Sequence, residues 1–187
     1  DAFDDEPLTI AGALRKFDYS GAKARLVAST PGYHLGADLH SFGANRVAAL
    51  LANEGDAAAQ KPTDKVVCQF SSLSSPTNPL AVLKAAFHAP ARLQPAPPRV
   101  PLSIVWPTAA EVCASVEGYG AGGALPSAQK NVDKVPCEMF CRWTKDGSSD
   151  FVTARQRAMP HSKTWTRVSG DGSTVRWSIM TSANLSG

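Results

Sequence analysis

The sequence predicts an α/β domain whose sheet combines parallel and antiparallel pairs. Short β-rich runs alternate with segments of helical period, and strand–helix–strand spacing of this kind calls for crossover connections and at least partly parallel pairing. The C-terminal region instead reads as an antiparallel hairpin. With 187 residues the chain is long enough for one domain with a real hydrophobic core. A composition of 43% apolar and 19% charged residues excludes disordered and fibrous classes.

Taken in order, AKARLVAS (22–29), KVVCQF (65–70) and PLSIVW (101–106) are apolar or β-rich runs that read as strands; Thr30-Pro31-Gly32 and Ser71-Ser72 close the first two. ANRVAALLAN (44–53) and PLAVLKAAFHA (79–89) repeat apolar residues at three and four positions and read as helices, with Pro79 suited to a first turn. RLQPAPPRVP (92–101) is an extended proline-rich connection. In TAAEVCASVEG (108–118), Thr108 and Glu111 form a capping-box pattern and Gly118 is a stop, which together predict a helix. GYGAGGALP (118–126) is a glycine loop, KVPCEMFCRW (134–143) a short helix from about Pro136, and TKDGSSD (144–150) a polar connection.

In HSKTWTRV the alternation sends His161, Lys163, Trp165 and Arg167 to one face and Ser162, Thr164 and Thr166 to the other. SGDGS (169–173) reverses the chain and TVRWSIMT (174–181) returns as the second strand. Counting out from a turn near Asp171 sets His161 opposite about Thr181, and Asn184 within roughly 10 Å of His161 at about 3.3 Å per residue. The four tryptophans, 106, 143, 165 and 177, sit in periodic segments and read mostly as core rather than as base-stacking platforms.

A net charge of +3 does not by itself announce a nucleic-acid binder. No apolar run reaches the roughly 18 residues of a spanning helix, and DAFDDEPL is too acidic for a signal or transit peptide, so a soluble intracellular protein is expected. Cys68 and Cys113 lie in apolar runs, as small core residues do, and Cys137 and Cys141 are spaced for neighbouring turns of one helix. The four read as reduced thiols, with neither a disulfide framework nor a zinc pair.

The chemistry concentrates near the C-terminus. Arg155, Arg157, Lys163 and Arg167 surround His161 with no acidic residue between 151 and 170, which makes the segment a candidate anion site. A histidine, a lysine and the Asn184 carboxamide together supply a proton carrier near neutral pH, a fixed positive charge and a neutral donor. That set suits a phosphodiester: Lys163 and Asn184 would bind the non-bridging oxygens, and His161 would attack phosphorus or protonate the departing oxygen. A bare H-x-K spacing is weak evidence, since such residues also decorate exposed strands.

Further motifs strengthen it. HSK at 161–163 with TSANLS at 181–186 resembles the second active-site motif of the tyrosyl-DNA phosphodiesterases, a branch of the phospholipase D superfamily. STPGYH (29–34), QFSSLSS (69–75), EGYGAGGALP (117–126) and RAMPHSKTW (157–165) resemble the second half of that family in the same order. Val168 stands where members outside this branch usually carry an aspartate.

The resemblance implies a mixed β-sheet flanked by helices, the phospholipase D-like α/β fold, packed against a similar first half. It also implies an enzyme that removes a topoisomerase I-derived tyrosyl peptide from the 3′ phosphate of DNA in the nucleus through a phosphohistidine, without metal or other cofactor. A first-half histidine is then the nucleophile, while His161 protonates the tyrosyl oxygen and later activates water. A phenol with pKa about 10 leaves poorly without that proton, and an imidazole titrating near 6.5 can give and take it. Lys163 and Asn184 match the phosphate-binding pair; Ser72, Ser75, Gly123, Lys134 and Ser186 match DNA-contacting positions. Hydroxyls and backbone amides of this kind bind phosphate without reading bases. Ala124 departs from the serine common there.

His34, His40 and His88 lack a lysine two positions on, so no first motif is found, and the chain reads as a second domain, truncated at its C-terminus, that holds half a site and is inactive alone. Two other readings stay open: a homodimeric single-motif nuclease with His161 as nucleophile, and a non-catalytic nucleic-acid-binding module using the basic cluster.

Overall fold

The computed structural model describes residues 9–53, 61, 63–74, 101–143 and 157–186. In chain order its elements are α1 (Ile10–Arg15), α2 (Gly43–Asn53), β1 (Lys65–Gln69), β2 (Leu73–Ser74), β3 (Leu102–Val105), α3 (Ala109–Cys113), α4 (Gln129–Val132), β4 (Phe140–Cys141), β5 (Lys163–Val168), β6 (Val175–Thr181) and β7 (Leu185–Ser186). Strand β1 is the middle of a five-stranded sheet ordered β4-β3-β1-β5-β6. It pairs parallel with β3 and antiparallel with β5, so the sheet is mixed, and helices flank it. Strands β2 and β7 form a separate parallel pair.

Alternation along β1 turns Val66 and Cys68 inward, and Phe70 follows them into the core. They meet Ile104 of β3, Trp165 of β5, Leu73 and Val135, with Val47 and Leu51 of α2 packed against the cluster. Full burial of one such side chain stabilises by about 1.5–3 kcal/mol. The Phe70 ring lies 5.9 Å from that of Trp165 and 6.3 Å from that of Trp106, and Trp177 also packs against the cluster, so these three tryptophans serve the core.

The inward row of β5 is Lys163, Trp165 and Arg167, as the alternation requires. An apolar centre is thus flanked by a cation at each end. The Arg167 end is neutralised from afar in sequence: Asp64, fully buried just before β1, has Oδ2 3.0 Å from Arg167 Nε and 3.7 Å from Arg176 Nε. Arg157 Nε donates to the Ala114 carbonyl at 2.9 Å. The basic cluster expected from the local sequence is therefore divided: Arg167 is paired within the fold, exposed Arg157 bonds a main-chain carbonyl, Arg155 lies outside the described residues, and among the described residues of the cluster Lys163 is the one bonded to His161.

The C-terminal hairpin forms as expected, in a shifted register. Lys163, not His161, sits opposite Thr181, with an irregularity between Arg167 and Val168. The cause is the turn. Asp171 accepts from Ser169 Oγ and from Ser173 N, and Gly172 takes φ 74°, so the reversal is longer than a tight turn centred on Asp171. His161 consequently lies just before the ladder.

Other expectations are corrected. Residues 22–29 join no ladder, and Leu26 is 92% exposed, because strand propensity is realised only beside a hydrogen-bonding neighbour. The segment after Pro136 is a single 3₁₀ turn, Cys137–Met139, leading into β4, which pairs parallel with β3. The open edge of β3 wins over the weak helical spacing, so Cys137 and Cys141 do not share a helix. Cys68 is buried, whereas Cys113 is exposed.

Helix α3 begins with the expected capping box, Glu111 N donating to Thr108 Oγ1 at 3.2 Å and Thr108 N to Glu111 Oε2 at 2.8 Å. It ends sooner than expected, and Gly118 at φ 59° starts a 3₁₀ segment, Gly118–Ala124, in place of an open glycine loop. The expected helix at 79–89 and the connection at 144–150 lie outside the described residues, as does nearly all of the proline-rich connection.

Candidate active site

Two strand ends meet at one edge of the sheet: the C-terminal end of β1 and the N-terminal end of β5. Buried Pro160 leads into exposed His161, and the pleat then drives Lys163 inward to 5% exposure. Burying an ammonium is costly without partners. Lys163 Nζ donates to the His161 main-chain oxygen at 2.7 Å and lies 3.4 Å and 3.5 Å from the two ring nitrogens of His161. The main-chain oxygen is a neutral acceptor, and among the described residues no carboxylate pairs with Lys163. Its charge stays available to an incoming anion.

Asn184 reaches this edge from the other side. It follows β6, after a turn shaped by Ala183 N donating to Thr181 Oγ1 at 3.1 Å, and precedes β7. Its Oδ1 accepts from the backbone N–H of Ser71 at 3.0 Å and from Ser71 Oγ at 3.3 Å. Ser71 is the second residue past the end of β1, and since Gln69 pairs with Thr164, the same register carried on sets Ser71 beside Ser162. Gln69 Nε2 also donates to the Ser162 carbonyl at 2.9 Å, between His161 and Lys163. Asn184 and the main chain between His161 and Lys163 are thus both tied to residues at the C-terminal end of β1.

The expected DNA-contacting positions lie on several different elements. Ser72, half-buried, directly follows Ser71. Gly123 is exposed in the 3₁₀ segment, with open space where a Cβ would stand. That segment is moored nearby, because Ser127 Oγ and Asn131 Nδ2 both donate to the Leu73 carbonyl of β2, at 3.1 Å and 3.2 Å. Lys134 is exposed beyond α4, and the backbone of Ser186 lies in β7 against Ser74. Ser75 lies outside the described residues.

Local sequence reasoning missed Ser71 and Gln69, although polar residues at the end of an otherwise apolar strand are a usable signal. It missed Asp64 because nothing near position 64 announces a partner at 167. Among the described residues no group of three His, Cys, Asp or Glu side chains could hold a metal ion, and no helix is long and apolar enough to cross a membrane.

The mixed five-stranded sheet flanked by helices is a phospholipase D-like fold, and it resembles a yeast tyrosyl-DNA phosphodiesterase mutant of known crystal structure. That likeness has a TM-score of 0.56 at 19% identity over 86% of this chain and 41% of that one. The family model for tyrosyl-DNA phosphodiesterase matches residues 5–187, and the chain belongs to that family. It is 38% identical over 182 residues to tyrosyl-DNA phosphodiesterase 1 of Arabidopsis thaliana, and 32% identical over 184 residues to the Drosophila melanogaster protein of the same name. Those alignments cover 94% and 92% of this chain but only 28% and 30% of the relatives, so it spans less than a third of their length.

Proposed function

We propose that the chain is the second catalytic half of a tyrosyl-DNA phosphodiesterase, which hydrolyses the bond between a 3′ DNA phosphate and a tyrosine of trapped topoisomerase I in the nucleus. The observation that carries this is Lys163: a buried ammonium held by the main-chain oxygen of His161 beside that residue's exposed ring, with no carboxylate among the described residues to answer its charge. Such a site is incomplete until an anion arrives.

The chemistry proceeds in two displacements. A histidine of the first half attacks phosphorus, the bond to the tyrosyl oxygen breaks, and His161 gives that oxygen its proton. Neutral His161 then takes a proton from water, which attacks the phosphohistidine and releases DNA with a 3′ phosphate. Lys163 Nζ and Asn184 Nδ2 bind the non-bridging oxygens as charge shifts onto them in each transition state. Ser72, Ser75, the Gly123 backbone, Lys134 and Ser186 would hold the DNA strand through its phosphates, with little sequence preference.

Separated from the first half, this chain gives up the positioning on which the rate depends. The isolated 187 residues should turn over a 3′-phosphotyrosyl oligonucleotide at background, and a chain restored to both halves should do so at a rate abolished by His161→Ala. Turnover by the isolated chain that depends on His161 would instead establish the single-motif homodimer, in which two copies complete one site. The engagement of Arg157 and Arg167 within the fold weighs against a binding module built on the basic cluster.

A further inference from the structure

The end of β1 holds both arms of the site, although they come from far away in sequence. Gln69 reaches 93 positions along the chain to the Ser162 carbonyl, and Ser71 reaches 113 positions to Asn184. Ser71 is 1% exposed and directs two donors, its backbone N–H and its hydroxyl, at a single acceptor, Asn184 Oδ1. A carboxamide has one accepting and one donating side, and turning it over here would set its NH₂ against the Ser71 N–H. The donating Nδ2 is therefore turned away from Ser71. A carboxamide free to rotate would offer its oxygen to a phosphate oxygen in part of the population, and two acceptors repel.

We infer that Ser71 is a positioning residue of the phosphodiesterase reaction: its hydroxyl, together with its backbone N–H, orients the Asn184 carboxamide so that Nδ2 donates to the phosphoryl group. This rests on the proposed role of Asn184 and extends it to the side chain that holds its carboxamide. Serine at this buried position also explains a polar residue directly after Phe70, where a further apolar side chain would otherwise continue the core.

The test is a double-mutant cycle in the enzyme containing both halves, read as kcat on a 3′-phosphotyrosyl oligonucleotide. Ser71→Ala is nearly isosteric and keeps the backbone donor, so it should lower kcat by roughly threefold to tenfold, the worth of one hydrogen bond. Asn184→Ala should cost more, and the double variant should be no slower than Asn184→Ala alone. A Ser71→Ala effect that persists at full size in the Asn184→Ala background would overturn the inference, since Ser71 would then act through the fold. So would unchanged kcat in Ser71→Ala while Asn184→Ala is impaired. If Asn184→Ala keeps full activity, the proposed role of Asn184 fails, and the inference about Ser71 with it.

Discussion

Lys163 Nζ sits 2.7 Å from the main-chain oxygen of His161 and 3.4 Å from its Nδ1, so the residue that would bind phosphate is held by the one that would move the proton. Its 5% exposure gives function and stability opposite interests at this position. In the enzyme with both halves, Lys163→Met should lower kcat by about 10²–10³-fold, the loss typical of a transition-state charge partner. The same change should leave resistance to urea equal or higher, because a desolvated charge is replaced by an apolar chain of similar length. A large drop in stability alongside the activity loss would show that Lys163 serves the fold.

His161 is exposed and therefore tolerant of replacement. If it activates water for the second displacement, His161→Asn should slow breakdown of the phosphohistidine more than its formation. Incubation with labelled substrate should then leave a covalent DNA–protein species on a denaturing gel. A variant equally slow in both steps, with no adduct at any time, would remove the acid–base role.

Asp64 lies at the opposite end of β1, fully buried between Arg167 and Arg176. Asp64→Ala removes the carboxylate that faces the buried Arg167 guanidinium and should cost about 3–5 kcal/mol of unfolding free energy. Since this end is remote from His161, kcat per folded molecule should stay near wild type. Urea titration followed by active-site counting would check both, and a cost below about 1 kcal/mol would mean that water reaches Arg167.

Asp171 is exposed, and hydrogen bonds from Ser169 and then Ser173 bring its carboxyl down to about 2. Because the folded value lies below the unfolded one, its contribution is fully present above about pH 4 and is lost as pH falls toward about 2. A carbon-detected titration of this carboxyl should show the depressed midpoint. Asp171→Ala should remove the acid-dependent part of hairpin stability in that interval and lower stability at neutral pH, where that contribution is fully present. A midpoint near the usual carboxylate range would mean that the turn is open in solution.

Local pattern was enough for a good part of this architecture. The alternation in HSKTWTRV placed Lys163, Trp165 and Arg167 on one face, Thr108 and Glu111 marked the start of α3, and SGDGS marked the reversal between β5 and β6. The motif residues His161, Lys163 and Asn184 were likewise visible as a set, through their resemblance to the family. Side-chain periodicity and capping depend on neighbours within a few positions, and such neighbours are written side by side.

The fold alone decided matters that depend on partners far along the chain. Residues 22–29 have the composition of a strand and join no ladder, while Phe140–Cys141, spaced like a helix, become a strand on the free edge of β3. Arg167, apparently part of an anion site, is consumed by Asp64, and Asn184 is oriented by Ser71. By itself the sequence determined which residue types the site contains and which way each strand faces, because sterics and hydrogen bonding act at short range. Tertiary structure decided which charges stay open and which amide points where, because a buried donor or ion takes whichever partner the packed chain brings within about 3 Å.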